Sequence, residues 1–374
     1  MEEQIQNSEI HAQETAAPAQ EKATPEQGTA VEKTERKGVT GSTLKLIAIV
    51  TMFIDHFAAV ILDSYLMKHG MAEINATNVT DQAAIQAAAD WMVQYGSIYY
   101  IDMFMRCIGR LAFPIFIFLL VEGFVHTHNR FKYALRLFIF ALVSEIPFNL
   151  ALTGYALHEP ETFGYQSVFW TLLAGFLFMC YAEFVKSKEL PKIAYVATTV
   201  LSLALGGWLG MKRLTLLTSI AIGLLKATET VSNAIVFALT ALGLVIFYIV
   251  WIKKKGLDEL LKLTAVLSGL FFFMICAMYG NTDYNAWGVF AIGMAYFCKD
   301  MPKGRIIAPV IILTIMSFIE AFAFFDVLFV KNYNGKRGLK IKYFFYAFYP
   351  VHLFLFYTIS WLMGNQHGAF FLGF

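Results

Sequence analysis

Lys45 and His56 stand eleven residues apart in an apolar run, Lys45-Leu-Ile-Ala-Ile-Val-Thr-Met-Phe-Ile-Asp55-His56. In a helix that separation is about 16–17 Å and about three whole turns, so both side chains share one face. A cation near a membrane edge, with an imidazole deeper on the same line, suits a long phosphorylated donor. The phosphates would pair with the lysine while the reactive end reached the histidine. An imidazole titrating near neutrality can take a proton from an amine or a hydroxyl. Asp55 points about 100° away from His56 and so toward another helix. A structural role fits the same residues: Lys45 snorkels to the interface, and Asp55 and His56 join helices by hydrogen bonds.

Further ionisable side chains interrupt apolar sequence, where each is costly and therefore a candidate for function. Arg106 and Arg110, in Arg106-Cys-Ile-Gly-Arg110, are four apart and share a helix face. They require anions, which Asp55, Glu145 or a substrate would supply. Gly109 and Pro114 permit a close approach and a kink, and Glu122 follows toward the other end of that helix. Glu145, in Ser144-Glu-Ile-Pro-Phe-Asn149, precedes a helix-bending proline. It would bind an acceptor, orient His56, or pair with one of the arginines. The basic turn Tyr333-Asn-Gly-Lys336-Arg337-Gly338 offers charge for phosphate, or serves only as a topogenic anchor. It lacks the spacing of a P-loop. His352 follows in Phe348-Tyr-Pro-Val-His352.

These residues need a membrane scaffold to position them. Apolar residues make up 58% of the 374 and charged residues 15%, too little charge to cover a water-soluble surface of this size. Apolar runs near the length of a membrane-crossing helix recur. The expected spans are 44–64, 100–126, 132–152, 166–186, 192–210, 231–252, 260–279, 284–299, 305–330 and 343–363. The fold class is therefore all-α, a polytopic transmembrane bundle of about ten helices, or eleven if the short run 214–225 adds one. Residues 65–97 read as an extracytoplasmic loop. Residues 1–40 carry four Lys/Arg against eight Asp/Glu and no aromatic residue, which reads as a disordered tail without a signal peptide. The membrane domain is then 41–374. Cys107, Cys180, Cys276 and Cys298 show no metal-ligand spacing, so no metal is expected.

Lys33, Arg36, Lys37 and Lys45 precede the first helix, while Lys68 is alone in the next loop. The positive-inside bias places the N-terminus in the cytoplasm. The turns 128–132, 157–161 and 186–192 agree. A ten-span count leaves the basic segment 331–342 outside, and an eleventh helix reverses this.

Several stretches resemble the TraX family, whose founding activity is acetylation of the N-terminal amine of conjugative pilin. They are Lys45-Leu-Ile-Ala with Met52-Phe-Ile-Asp-His56, Arg106 through Phe116, Glu122-Gly-Phe, and Tyr133-Ala-Leu-Arg-Leu to Asn149. Tyr333 to Gly338 and Phe348-Tyr-Pro-Val-His-Leu353 complete the likeness. The family is similar in turn to transmembrane acyltransferases that carry Arg or Lys, ten residues, then His in the first helix, which Lys45 and His56 match. The resemblance implies acetyl-CoA as a cytoplasmic donor and an acceptor peptide, glycan or lipid, with no metal and no nucleic acid. With that activity, His56, Asp55 and Glu145 are the catalytic candidates and Lys45, Arg106, Arg110, Lys336 and Arg337 the donor-binding ones, Lys336 and Arg337 only if their loop is cytoplasmic. Glu122, Asn149 and His352 are then the substrate-binding candidates, in a multi-pass protein of the bacterial cytoplasmic membrane. Lining a path with buried charge is also what a transporter does.

Overall fold

A computed structural model describes residues 38–75, 82–152, 164–224, 249, 251, 253–339 and 342–365. The expected tail, except for 38–40, the turn 157–161 and nearly all of the expected span 231–252 lie outside the described residues. Apolar sequence in lipid must satisfy its backbone within each segment, and the chain accordingly folds as helices. No strand occurs among the described residues, only the isolated bridges Val39–Tyr333 and Gln166–Thr282.

The first helix, α1 (Gly41–Lys68), contains one π-helical segment at Ala58–Leu62. There follow α2 (Gln82–Gly109), α3 (Ala112–His126), α4 (Arg130–Leu152), α5 (Val168–Ser187) and α6 (Lys192–Leu224). After them come α7 (Leu257–Tyr279), α8 (Asn285–Phe297), α9 (Gly304–Met316), a 3-10 segment Phe318–Phe325, α10 (Asp326–Lys331) and α11 (Lys342–Leu362). Seven stretches among the described residues are long and apolar enough to cross a membrane, so the protein is multi-pass. Phe131, Leu135, Phe138 and Leu142 recur at helical spacing on the exposed face of α4, as Val196, Val200 and Leu203 do on α6. Those faces suit lipid.

Four expectations change. Residues 65–68, 71–75 and 82–97 are helical, so most of the expected loop 65–97 extends α1 and α2; its alanine-rich stretch has high helix propensity. The expected span 100–126 begins much earlier and breaks at Arg110–Leu111. The described part of the short run 214–225, up to Leu224, is a continuation of α6. Most consequentially, 305–330 does not cross.

That last point follows from where the ends lie. The amides of Gly41 and Ser42, at the start of α1, donate to the carbonyls of Lys336 and Arg337, each at 2.9 Å. Val39 donates to Asn332 at 2.8 Å. At this near end Glu122, closing α3, also meets Arg305, opening α9, and Tyr333. The segment α9–3-10–α10 therefore enters from the near end and returns to it. Ser317 leaves the helix in an extended conformation, and Glu320 and Asp326 interrupt the apolar run. Leu44, Ala48, Ile115, Phe118, Ile306 and Val330 form a buried cluster that fastens this hairpin to α1 and α3. A larger core around Phe124, Phe148, Phe176, Phe178 and Tyr296 joins the central helices.

The basic turn 333–338 thus lies at the same end as the start of α1. Gly338 has φ +73, and a side chain there would collide with Thr40 and Ser42; only glycine lets the turn seat on α1. In a background lacking native cysteines, Asn334→Cys and Asn129→Cys should react with an impermeant thiol reagent from one side of sealed vesicles, and Gln86→Cys from the other. Reaction of position 334 from the side of position 86 would refute the re-entrant path.

Candidate functional site

Proline at position 114 explains the break that creates the site. Its ring displaces the carbonyl four residues back, that of Arg110, and it has no N–H to donate. Here the chain tightens into turns, with Arg110 N–H donating to Cys107 O and Leu111 N–H to Ile108 O. Arg110 therefore leaves the end of α2 inside the bundle. Its Nη1 donates to Glu320 Oε1 at 3.0 Å, and its Nη2 lies 3.5 Å from Asp55 Oδ1. Arg106 Nη1 donates to the same Asp55 oxygen at 2.7 Å. Gly109 lies directly against the Asp55 side chain, where any Cβ would overlap it. As its direction on α1 implied, Asp55 pairs with another helix and not with His56.

Glu320 is completely buried, and its second oxygen has no hydrogen-bond partner. It is the anion that sequence reading missed: one carboxylate in an apolar run, without periodicity to single it out. Irregular backbone is stable at membrane depth only when covered by protein or lining a wet cavity. Two such pieces converge near Arg110. One is the 3-10 segment bearing Glu320; the other is 281–285, where Asn281, Tyr284 and Asn285 all have positive φ. Tyr284, at φ 59, stacks on Phe113 with ring centroids 3.8 Å apart. A large aromatic in the left-handed region is rare and is held by its surroundings.

His56 closes the last regular turn of α1 before the π-helical segment, a feature frequent at functional sites. It is buried, and its Nδ1 lies 2.6 Å from His352 Nε2 on α11. The edge of Tyr349 packs on His56 at 5.7 Å, while Phe348 stacks on His352 at 4.7 Å. Arg106 and Arg110 are within electrostatic reach of His56. Nearer the start of α1, the Lys45 amine lies 5.6 Å from the Phe345 ring centre on α11. Lys45 to His56 and Phe345 to His352 thus line one seam between α1 and α11, with Phe53 between them touching Phe348 and Phe356.

The remaining candidates lie elsewhere. Glu145 does not pair with either arginine. Its carboxylate accepts from Asn149 Nδ2 at 2.8 Å, Trp170 Nε1 at 2.9 Å and Ser167 N at 3.3 Å. It thereby ties the bent end of α4 to the start of α5, with Asn149 in the same clamp. Glu122 sits at the near end, ion-paired with Arg305 and accepting from Tyr333 at 3.2 Å. Burial, and then the Glu122 carboxylate, push the Tyr333 phenol up to about 12, which keeps it a donor. Lys336 and Arg337 are exposed on the turn that caps α1. Among the described residues no group of three or more His, Cys, Asp or Glu could hold a metal ion.

Residues 40–211 and 205–360 match the family model described as TraX protein. No match appears among curated proteins or among solved structures.

Removing one member of a buried ion pair leaves the other charge uncompensated and costs about 3–5 kcal/mol, whereas replacing both with apolar groups often restores stability. Arg110→Met should therefore lower the melting temperature in detergent, and Arg110→Met with Glu320→Met should recover much of the loss. A double variant no more stable than the single one would show that Arg110 and Glu320 are not energetically linked.

Proposed function

Because this chain belongs to the TraX family, we propose that it is a membrane-embedded acetyltransferase that moves acetyl from acetyl-CoA to an amine or hydroxyl. The observation that supports this best is the seam between α1 and α11. A cation, Lys45, stands near the end of α1 that carries the basic turn, and a buried imidazole, His56, stands about 16 Å deeper on the same line. A donor with charged phosphates at one end and a reactive thioester at the other has matching partners at both levels. Acceptors consistent with the seam are a peptide N-terminus such as that of a pilin, a cell-surface glycan, or a lipid.

On this reading the near end is cytoplasmic. Arg130, Lys132, Lys186, Lys188, Lys299, Lys303, Arg305, Lys336 and Arg337 gather there with Lys45, as positive-inside bias requires. Lys45, Lys336 and Arg337 take the phosphates of CoA by side-chain charge. The first amides of α1 are already bonded to the turn's carbonyls and are not the anion site. Arg106 and Arg110 are engaged by Asp55 and Glu320 at the depth of His56, so their role is local. They hold Asp55 and polarise the thioester carbonyl as charge develops on its oxygen. His56 takes the proton from the acceptor N–H or O–H as that atom attacks the carbonyl carbon. The C–S bond breaks, the thiolate of CoA leaves, and the proton passes to it. Glu145, Asn149 and Glu122 act by holding helices in place.

A transporter is the second reading, favoured by the interrupted helices that meet the buried charges, an arrangement typical of substrate pathways. Turnover of acetyl-CoA by purified protein separates the two. His56→Ala should lower kcat by on the order of 10²- to 10⁴-fold, the usual share of a general base. Lys45→Ala and Arg337→Ala should instead raise KM for acetyl-CoA with kcat nearly unchanged, as loss of uniform binding does. Full acetyl transfer by folded His56→Ala would remove the base, and substrate flux without consumption of acetyl-CoA would replace the transferase by the transporter.

A further inference from the structure

We infer that His352 is a positioning residue that fixes the tautomer of His56, so that His56 presents a bare Nε2 to the acceptor. This rests on the reading of His56 as the base. The two residues are 296 positions apart in the chain and meet because α1 and α11 both start at the near end and lie side by side.

The protons can be placed one after another. His352 Nδ1 is 2.6 Å from the carbonyl oxygen of Phe348, one turn earlier on α11. A carbonyl only accepts, so His352 Nδ1 carries the hydrogen and donates it. A neutral imidazole has one N–H, which leaves His352 Nε2 with a lone pair. That atom is 2.6 Å from His56 Nδ1, and the hydrogen between them must therefore belong to His56. With its one hydrogen on Nδ1, His56 has none on Nε2.

The surroundings favour both rings being neutral. Both are buried, where an uncompensated positive charge is costly before substrate arrives. Asp55 cannot take over the orienting role, because its carboxylate is held by the two arginines. Phe348 and Phe53 pack on His352 and shield the pair from competing water. Orientation of a base by a third group is the logic of catalytic triads. Here the orienting group is a second imidazole, itself anchored to a main-chain carbonyl. When His56 Nε2 accepts the acceptor's proton, the Nδ1–H bond to His352 becomes charge-assisted and therefore stronger.

Ring-nitrogen NMR of ¹⁵N-histidine-labelled protein in lipid tests this directly, with the His56 signals assigned by their loss in His56→Ala. The expected wild-type spectrum near neutral pH shows His56 protonated at Nδ1 and bare at Nε2. His352→Phe keeps an aromatic ring but removes the acceptor. It should shift His56 toward the Nε2–H form and lower kcat roughly tenfold to a hundredfold, less than the whole general-base contribution, with KM for acetyl-CoA changed little. His352→Gln, whose carbonyl can accept from Nδ1–H, should restore the spectrum and most of the rate. A wild-type His56 carrying its hydrogen on Nε2, or a tautomer unmoved by His352→Phe, would overturn the inference. If the spectra behave as expected while folded His56→Ala still transfers acetyl, the transferase role of His56 falls and the hydrogen-bond assignment stands.

Discussion

A guanidinium cannot be kept out of water without anions, and the architecture around Arg110 is arranged to provide them. Arg110 is nine-tenths buried and receives carboxylates from two directions, Asp55 of α1 and Glu320 of the re-entrant hairpin. Desolvating these groups singly would cost several kcal/mol each, a cost offset only when the charges are met together. The constraint ties together three things: the break that Pro114 makes between α2 and α3, the packing of Gly109 on α1, and the depth to which the hairpin enters. Irregular backbone at 281–285 and 317–325 is tolerable there because the surrounding helices cover it.

The hairpin joins that charged centre to the near end. Having reached Glu320, the chain turns back, and Asn332 to Arg337 bond to the start of α1. Depth in the membrane is thus tied to position at the edge through a short covalent path and a small apolar cluster. Alpha-helical rise sets the remaining distance, from Lys45 near the edge to His56 beside the centre. The seam with α11 is parallel, so aromatic side chains of α11 accompany α1 along that whole length. Donor charge and reactive carbonyl would in this way be registered by rigid helices and not by a loop.

Local features were legible in the sequence wherever helical periodicity alone decides geometry. Lys45 and His56 on one face, Asp55 directed to a neighbouring helix, and Arg106 with Arg110 on a shared face follow from 3.6 residues per turn, and the membrane class follows from composition. Depth and pairing partners were less accessible. The run 305–330 has the length and polarity of a span, and Ser317 gives no glycine or proline signal for its departure from the helix. A ten-span count that treated it as a crossing put the basic turn at the end opposite the start of α1, whereas the two are hydrogen-bonded together. The alanine-rich part of 65–97 carries few large apolar residues, which hid a helix that propensity alone supports. Glu145 looked like a partner for arginine because its true donors, Trp170 and the Ser167 amide, lie on the next helix. His352 could be named as a candidate, but its contact with His56 depends on helices at opposite ends of the chain.

The balance of fixed charge at the centre bears on how a neutral base pair could serve acetyl transfer. Arg106 and Arg110 are met by Asp55 and Glu320, so neither guanidinium is left without an anion. On the proposed transferase reading, a neutral thioester would enter without stranding an ion. Attack by the acceptor would then separate charge: the carbonyl oxygen would become negative and His56 positive. Arg106 and Arg110 are already fixed in place and would stabilise the first without reorganising, which is where preorganised charge is most effective. The bond from His56 to His352 would stabilise the second, since a hydrogen bond to a charged donor is stronger than one between neutral groups. Stabilisation that grows only as charge develops favours the transition state over bound substrate, and this is the condition for accelerating the chemical step.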